Sequence, residues 1–491
     1  MQLSELLKEW PCTVKGSIRV EVVRVEDDTR VLQKGDLFIA RQGKKVDGRA
    51  YIEKALELGA CAIVVQDELL FDSLVVDVPV IWVPSTAKFL AYASAKLQGF
   101  PSEALQIIAV TGTNGKTTVT HFIGQLLQKL GKRVMVIGTN GVFVQGEYTE
   151  FYAESLTTLQ AKQLQTILKW AVYQQIDYVV LEASSMGLAT HRLDYCHIDI
   201  GVYLNLAEDH IEDHGTFEQY KLAKQQLLTL SDMVILNGDD IFCRTVGVST
   251  KKKKLSFGTG NHVDVQWQVL NEGIRHTDGC IQLREEQYVL TLPISGEFQV
   301  MNALAAATVV FALGYSFEEI CGATTVLAPP VGRMDYVKNN LGIDIVIDYA
   351  HTAEAMRVVL QTLHKQKYGQ LIVVFSCGGE RDVAKRAQMG LAASTYADYI
   401  YLTTDNPRSE SPMVINEQIT EGFLLNQAFE VELDRKRAIE RAIRQAQVQD
   451  IVAIIGKGHE RTQTANGKTI TFSDHECVQE YLAQLVDEGK R

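Results

Sequence analysis

The sequence predicts an α/β protein of three domains: a small N-terminal α/β domain, a central domain built on a mostly parallel sheet, and a C-terminal doubly wound, Rossmann-like domain. Three observations carry this. The chain has 491 residues, too many for one compact core when a domain averages about 150. Short apolar, β-rich runs alternate with helical stretches, as in parallel strands covered by helices. Glycine and proline interrupt that pattern twice, at Gly99 and Pro101 in "QGFPSEA" and at Pro329 and Pro330 in "LAPPVGRM". These breaks place the domains at 1–98, 99–328 and 329–491.

In the first segment "SIRVEVVRV", "DLFIA", "CAIVV" and "VPVIWV" read as strands, separated by helical stretches such as "AYIEKALELGA". From Leu105 the pattern is strand, turn, helix: "LQIIAV" runs into a glycine turn, and "RVMVIGT", "DYVVLEAS", "IDIGVYLNL" and "MVILNGDD" follow. Residues 251 to 295 change character, with "KKKK" (Lys251 to Lys254) and runs such as "QYVLTLPI". They predict an antiparallel excursion at the domain's edge, the lysines forming a solvated loop. Beyond Pro330, "DIVIDYA", "QLIVVFSC", "DYIYLTT" and "DIVAIIG" alternate with helices and predict the second doubly wound unit. No internal repeat is evident.

With 46% hydrophobic and 22% charged residues, the composition is that of an ordinary globular protein. A formal charge of −12 argues against nucleic acid or an acidic membrane as partner, since both want a basic face. Eight cysteines stand singly with no CxxC pair, so reduced core thiols are expected. The amino terminus lacks a basic stretch followed by an apolar one, and no apolar run approaches the roughly 20 residues that span a bilayer. A cytoplasmic monomer acting on small, locally captured substrates is expected.

The stretch "AVTGTNGKTTVTHF" carries the first chemistry. A strand feeds a turn in which Gly112 and Gly115 let backbone amides approach an anion, with Thr113 and Asn114 between them. The helix that follows presents its positive end, Lys116 would neutralise terminal phosphates, and Thr117, followed by Thr118, is placed for Mg²⁺. Val110 stands where the usual Walker A pattern has its first glycine. The competing reading is a plain strand-to-helix turn; strand, glycine, lysine, threonine and helix in that order favour a P-loop, which alone leaves kinases, GTPases and ligases open.

With these motifs in order from "DDTRVLQKGDLF" to "GKGHE", the chain resembles the Mur ligases, the ATP-dependent family that lengthens the peptide of the bacterial cell-wall precursor, and within it the class adding the third residue. The likeness covers nearly the whole chain. It implies that Glu182 in "LEASS", His210 in "NLAEDHIEDHG" and a carbamylated Lys224 join Thr117 around Mg²⁺, and that Lys116, Glu182, His210 and Lys224 are catalytic. Asn205 and Asp209 match the same signature. By their residue types alone Glu182 reads as structural, His210 as a hydrogen-bonded loop histidine and Lys224 as one cation on an amphipathic helix.

The resemblance further implies that ATP meets Gly112 to Thr118, Asn302 in "GEFQVMNALAA", Arg333 in "GRM" and Asp348 in "DYAHTAE", between the central and C-terminal domains. Thr29 and Arg30, with Thr157, Thr158, Ser184 and Arg192, fall at positions that meet the UDP-sugar substrate. In "SCGGERD", "TTDNPRSESP" and "GKGHE", Arg381, Asp405, Asn406, Pro407, Arg408, Gly456 and Glu460 match the amino-acid site of enzymes adding meso-diaminopimelate. The physics agrees: that amino acid differs from lysine by a distal carboxylate, and a guanidinium grips a carboxylate bidentately for about 1.5 to 3 kcal/mol.

The implied reaction joins meso-2,6-diaminopimelate to UDP-N-acetylmuramoyl-L-alanyl-D-glutamate through an acyl phosphate, with ATP consumed, Mg²⁺ as cofactor and closure of the C-terminal domain over the intermediate. The chain departs from the family pattern at Leu159, Gln160, Met186, Gln299 and Ala353. The first three lie beside the acceptor positions. The alternative is therefore a paralogue that adds L-lysine or another amino acid, or that uses another acceptor.

Overall fold

The computed structural model describes residues 1–43, 46–151, 156–208 and 211–487. They form two compact units, Met1–Asp264 with Ala305–Tyr315, and Val265–Leu304 with Ser316–Arg491. The first unit holds two sheets. The N-terminal one runs in the order Thr13–Lys15, Val80–Trp82, Ala62–Val65, Leu37–Ile39, Val25–Glu26, parallel except for the first pair. Its central strand Ala62–Val65 is wholly buried, which is why "CAIVV" carries no polar alternation. Helix Thr86–Gln98 starts where the Ser85 hydroxyl accepts from Lys88 N and stops at Gly99, φ 75°, at the expected break.

One expected strand is mostly absent. Of "SIRVEVVRV" only Val25 belongs to a strand. Leu3 N bonds to Val20 O, Val22 N to Met1 O and Val23 N to Gly35 O. The N–H and C=O groups of this edge segment are thus divided between the chain start near Met1 and the stretch near Gly35, and no continuous ladder forms.

The central sheet of the first unit runs Lys253–Gly258, Ser231–Asn237, Ile198–Tyr203, Gln106–Thr111, Tyr178–Glu182, Val134–Gly138, all parallel, then Gly141–Val144 and Glu147–Tyr148, antiparallel. In Gln106–Thr111 every residue after Gln106 is buried. Its register sets Val110 opposite Glu182 and Thr111 opposite Tyr203. The carboxyl ends of three neighbouring strands therefore deliver the glycine turn, Glu182 and the Asn205 loop to one place, the usual position for ligands in such sheets.

The lysine run is corrected: Lys253 and Lys254 open a parallel strand. Lys252 Nζ donates to Leu228 O and Ser231 O, and Lys254 Nζ to Gly247 O. Two of the four cations thus satisfy carbonyls near the ends of helices Phe217–Leu230 and Ile241–Ser249, where the helix dipole favours positive charge.

The second unit opens with the expected antiparallel excursion, strands Val265–Glu272, Thr277–Leu283 and Glu286–Leu292. Its main sheet runs Asp335–Val337, Asp344–Asp348, Ile451–Ile455, Leu371–Phe375, Tyr399–Leu402, Phe429–Val431, parallel after the first pair. One face is covered by Ala353–Gln366, Ala384–Tyr396 and Pro412–Thr420, the other by Arg435–Gln445 and Asp474–Asp487. The chain reverses direction across the sheet between Ile451–Ile455 and Leu371–Phe375. The loops after those strands carry the "GKGHE" and "SCGGERD" motifs.

Candidate active site

In the first unit, Gly115 takes φ 89° and caps helix Lys116–Lys129, a left-handed turn that a residue with a Cβ would resist. The turn is clamped from the Asn205 loop. Asn114 N donates to Asn205 Oδ1 (2.9 Å), Asn205 Nδ2 returns a bond to Asn114 O (3.1 Å), and Thr113 N donates to Asn205 O (3.1 Å). Lys116 Nζ folds over its own loop onto Gly112 O (2.8 Å) and Thr113 O (3.1 Å). Lys224 is 1% exposed; its Nζ donates to Gly112 O at 2.8 Å and lies 4.7 Å from the Tyr220 ring centroid. Two cations thus converge on one carbonyl of the turn, at the positive end of a helix, and Thr118 is buried beneath it.

Glu182, 1% exposed, is the carboxylate of this cluster. Its Oε1 accepts from Thr117 Oγ1 (3.0 Å) and Thr139 N (2.8 Å), and its Oε2 accepts from Thr139 Oγ1 (3.1 Å). A Cβ on Gly138 would lie 2.1 Å from Glu182 Oε1, so the cradle requires glycine there. Thr139 has spent its hydrogen on Glu182 and therefore accepts from Thr157 Oγ1 at 3.0 Å. Thr158 Oγ1 donates to Glu182 O (2.8 Å) and meets Ser184 Oγ and N, both at 2.9 Å. Arg192 Nη1 donates to Thr158 O at 2.7 Å. The structure thus joins residues read as phosphate, metal and acceptor positions into one chain of hydrogen bonds. Thr139 was missed; its signal was the Gly-Thr that ends "RVMVIGT" two strands from the P-loop strand.

These oxygens suit a hard cation. Among the described residues no three His, Cys, Asp or Glu side chains gather into a metal cage. Mg²⁺ is commonly held by only one or two carboxylates together with phosphate oxygens and water, and Thr117 with Glu182 offers that set. His210, like Asp209, lies outside the described residues.

Thr29 and Arg30 line a cleft of 1310 Å³ with Glu26, Asp27, Arg41 and Lys162. Arg30 Nη2 pairs with Asp28 at 2.6 Å while its side chain is 86% exposed. Lys162, on the helix that begins after Gln160, bonds Glu26 and reaches Asp27 Oδ1 at 3.0 Å. Burial pushes the Asp27 carboxyl up, but Lys162 and Arg41 outweigh it and hold it low. Burial, and then Arg41, lower Arg192. This charge set was not singled out from sequence. Leu159 packs in the central core.

In the second unit, Asp348 ends its strand with Oδ2 accepting from Met334 N (2.7 Å) and Oδ1 from Ala350 N (2.8 Å); burial raises its carboxyl. Arg333 stacks on Tyr349, 4.5 Å from the ring centroid. His459 lies 4.9 Å from the same ring, and burial, then the Arg333 charge, pushes it down to about 4. Asn302 stands half-buried on helix Glu297–Ala312.

The residues expected to meet the amino acid lie at the strand ends. Asn406 Nδ2 donates to Glu460 Oε2 at 2.9 Å, as does the fully buried Lys457 Nζ at 2.8 Å. Burial raises Glu460, but Lys457 and Asn406 outweigh it and hold the carboxyl low. Asp405 is buried and raised by that burial. Gly456, φ 114°, brings the backbone against it: a Cβ there would lie 3.1 Å from Asp405 Oδ2. Arg408 Nη1 donates to Gly379 O. A Cβ on Gly378 would lie 3.4 Å from Arg408 Nη1 and 3.9 Å from Arg381 Cγ, so both arginines flank one glycine. Gly379 N bonds Asn406 O at 2.9 Å, and Pro407 O packs against Gly379.

The chain is similar to known proteins along nearly its whole length. Residues 22–97 match the "Mur ligase family, catalytic domain", 110–310 the "Mur ligase middle domain" and 332–458 the "Mur ligase, glutamate ligase domain". The UDP-N-acetylmuramoyl-L-alanyl-D-glutamate--2,6-diaminopimelate ligase of Caldanaerobacter subterraneus subsp. tengcongensis is 34% identical over 487 residues, 99% of both chains. The protein of the same name from Chlamydia pneumoniae is 36% identical, covering 99% of this chain and 100% of that one. A solved structure titled for the same ligase superposes with a TM-score of 0.69 at 31% identity over 99% of both chains. With three family segments in order along one chain and relatives of this identity over nearly its whole length, the chain belongs to the Mur ligase family.

Proposed function

We propose that the protein is an ATP-dependent, ADP-forming ligase that joins meso-2,6-diaminopimelate to UDP-N-acetylmuramoyl-L-alanyl-D-glutamate in the cytoplasm. The observation that carries the reading is the charge pattern of the second unit. Arg381 and Arg408 flank Gly378, and Asn406 and Glu460 are bonded to each other nearby. Two guanidiniums suit a carboxylate, and an amide beside a carboxylate suits an ammonium, so the set is complementary to the zwitterionic distal end of diaminopimelate. Lysine lacks that carboxylate and would leave the arginines unmatched.

The first unit activates the acceptor. The acceptor carboxylate attacks the γ-phosphorus of ATP, the β–γ bridging P–O bond breaks, and ADP leaves with that oxygen. Lys116 and the amides of the glycine turn hold the phosphates and offset charge as it spreads in the transition state. When bound by Thr117 and Glu182, Mg²⁺ supplies further charge neutralisation at the phosphate oxygens. If Lys224 is carbamylated, its Nζ keeps one N–H, so the bond to Gly112 O can survive. The hydrogen bonds from Thr158 to Glu182 O and from Arg192 to Thr158 O fix the acceptor loop against the metal residue. The amine of diaminopimelate then attacks the acyl carbon, loses a proton and expels phosphate, leaving an amide.

A second reading is favoured by one observation: the loop residue Leu159 points into the core and Gln160 N bonds the Gln163 side chain, so neither presents an acidic group to an acceptor. A different acceptor is the alternative it supports. The test is phosphate release from ATP by the purified protein, with the UDP-muramoyl dipeptide and each candidate amino acid. Release is expected only when dipeptide and diaminopimelate are both present; release that needs lysine instead overturns the arginine argument, and release with another acceptor alone establishes the second reading.

A further inference from the structure

We infer that Glu410 is a positioning residue whose carboxylate locks the Arg381 loop and the Arg408 loop into one carboxylate-binding shape. The inference rests on the diaminopimelate reading above. Glu410 lies two residues beyond Arg408. Its Oε1 accepts from Glu380 N, in the Arg381 loop, and from Arg386 Nη2 (3.0 Å); its Oε2 accepts from Arg386 Nη1 (2.8 Å). Arg386 is 1% exposed on helix Ala384–Tyr396, and its Nη1 also donates to Gln418 Oε1 (2.6 Å) on helix Pro412–Thr420. One carboxylate thus ties two motif loops to two helices through a bidentate guanidinium pair, the geometry that specifies orientation most strongly.

The tie is reciprocated. Glu380 Oε1 accepts from Ser409 Oγ at 2.7 Å and Ser409 N at 3.3 Å. Glu380 and Arg408 both sit at φ 54°, a left-handed backbone that persists in residues other than glycine only where the surroundings hold it. The hydrogen bonds of Glu410 and Glu380 contribute to that hold, beside the backbone bonds of Arg408 N to Thr464 O (3.1 Å) and of Asn466 N to Arg408 O (2.6 Å). The Arg386 hydrogen bonds, with the Glu380 amide, bring the Glu410 carboxyl down to about 2, so it stays an acceptor throughout the working range. Without it, Glu380 N loses its acceptor, the buried Arg386 is left with Gln418 Oε1 and, at 3.5 Å, Gly378 O, and the two arginines lose the common frame on which a bidentate grip depends.

The test is steady-state kinetics of Glu410→Ala and Glu410→Gln in the full-length protein, with melting temperatures measured alongside. The wild type is assayed first; if it does not require diaminopimelate, the reading beneath the inference fails before any variant is made. Given that requirement, Glu410→Ala is expected to raise KM for diaminopimelate roughly tenfold or more, with kcat and KM for ATP within about twofold. Glu410→Gln, which keeps an acceptor for Glu380 N, should recover part of that loss. Parallel rises in KM for ATP and diaminopimelate, or no change in either, overturn the inference. If Glu410→Ala does not fold, the same KM split in Glu410→Gln decides.

Discussion

Thr139 shows how much one hydroxyl does at the residue scale. It donates to Glu182 from both its amide and its side chain and accepts from Thr157. Thr139→Val keeps the amide bond and the volume but removes the donor to Oε2, leaving a buried carboxylate short of a hydrogen bond, at about 1.5 to 3 kcal/mol. The expected outcome is a loss of that size in denaturant-measured stability and a fall in kcat of roughly tenfold, with Thr139→Ser restoring most of both. A Thr139→Val protein as active as wild type would show that the link to the acceptor loop is not used. His459 makes a prediction in pH. Its folded value of about 4 lies below the ordinary 6.5, so the unfolded chain binds the extra proton and stability is lost as pH falls from 6.5 toward 4. The loss is on the order of 3 kcal/mol at most. His459→Gln should flatten that part of the stability–pH curve, read by urea midpoints between pH 7 and 4. An unchanged slope would place the titration elsewhere.

Elements are held by fewer and larger interactions. Arg435 and Asp474 open the two helices on one face of the second unit's sheet and are both fully buried. Nε bonds Oδ1 at 2.7 Å, Nη2 bonds Oδ2 at 2.8 Å, and Nη2 also reaches Ile455 O at 3.2 Å. Removing one partner strands the other charge, so Asp474→Ala should cost about 3 to 5 kcal/mol, seen as an earlier chemical-denaturation midpoint. A cost under about 1 kcal/mol would mean that water reaches Arg435. The parallel strands were legible in the sequence because fully buried strands read as unbroken apolar runs, as "IIAV" and "IVAII" do. The glycine turn was legible because its chemistry is local. Less was readable where partners are distant. Nothing local in "SIRVEVV" says that its N–H and C=O groups would be divided among Met1, Leu3, Ser4 and Gly35, nor that the lysine run would serve helix ends. The Arg386–Glu410 pair and the Lys162–Asp27 pair lie 24 and 135 residues apart in the chain, and periodicity does not reach that far. The Thr462–Ala465 and Lys468–Thr471 hairpin was also missed: "TQTANGKTIT" has its Asn-Gly turn but hardly an apolar residue to mark a strand.

At the scale of the whole molecule, the proposed chemistry divides between the two compact units. The glycine turn, Lys116, Glu182 and the acceptor loop belong to the first, and the arginine pair with Asn406 and Glu460 to the second. Acyl phosphate formation needs only ATP and the acceptor, and it is reversible as long as ADP stays available. Amide formation alone needs the amino acid. Exchange of labelled ADP into ATP, measured with the dipeptide acceptor but without diaminopimelate, therefore reports the first half-reaction by itself. Arg408→Ala should retain that exchange within about twofold while its overall kcat/KM for diaminopimelate falls at least roughly tenfold, because in the proposed reading the guanidinium meets the incoming amino acid and neither ATP nor the acceptor. Lys116→Ala should lose exchange and overall turnover together, by roughly a hundredfold or more, since the charge it offsets develops in the phosphoryl-transfer step itself. If Arg408→Ala lost exchange in proportion to turnover, its guanidinium would have to act before the amine arrives, and the division of labour between the units would fail.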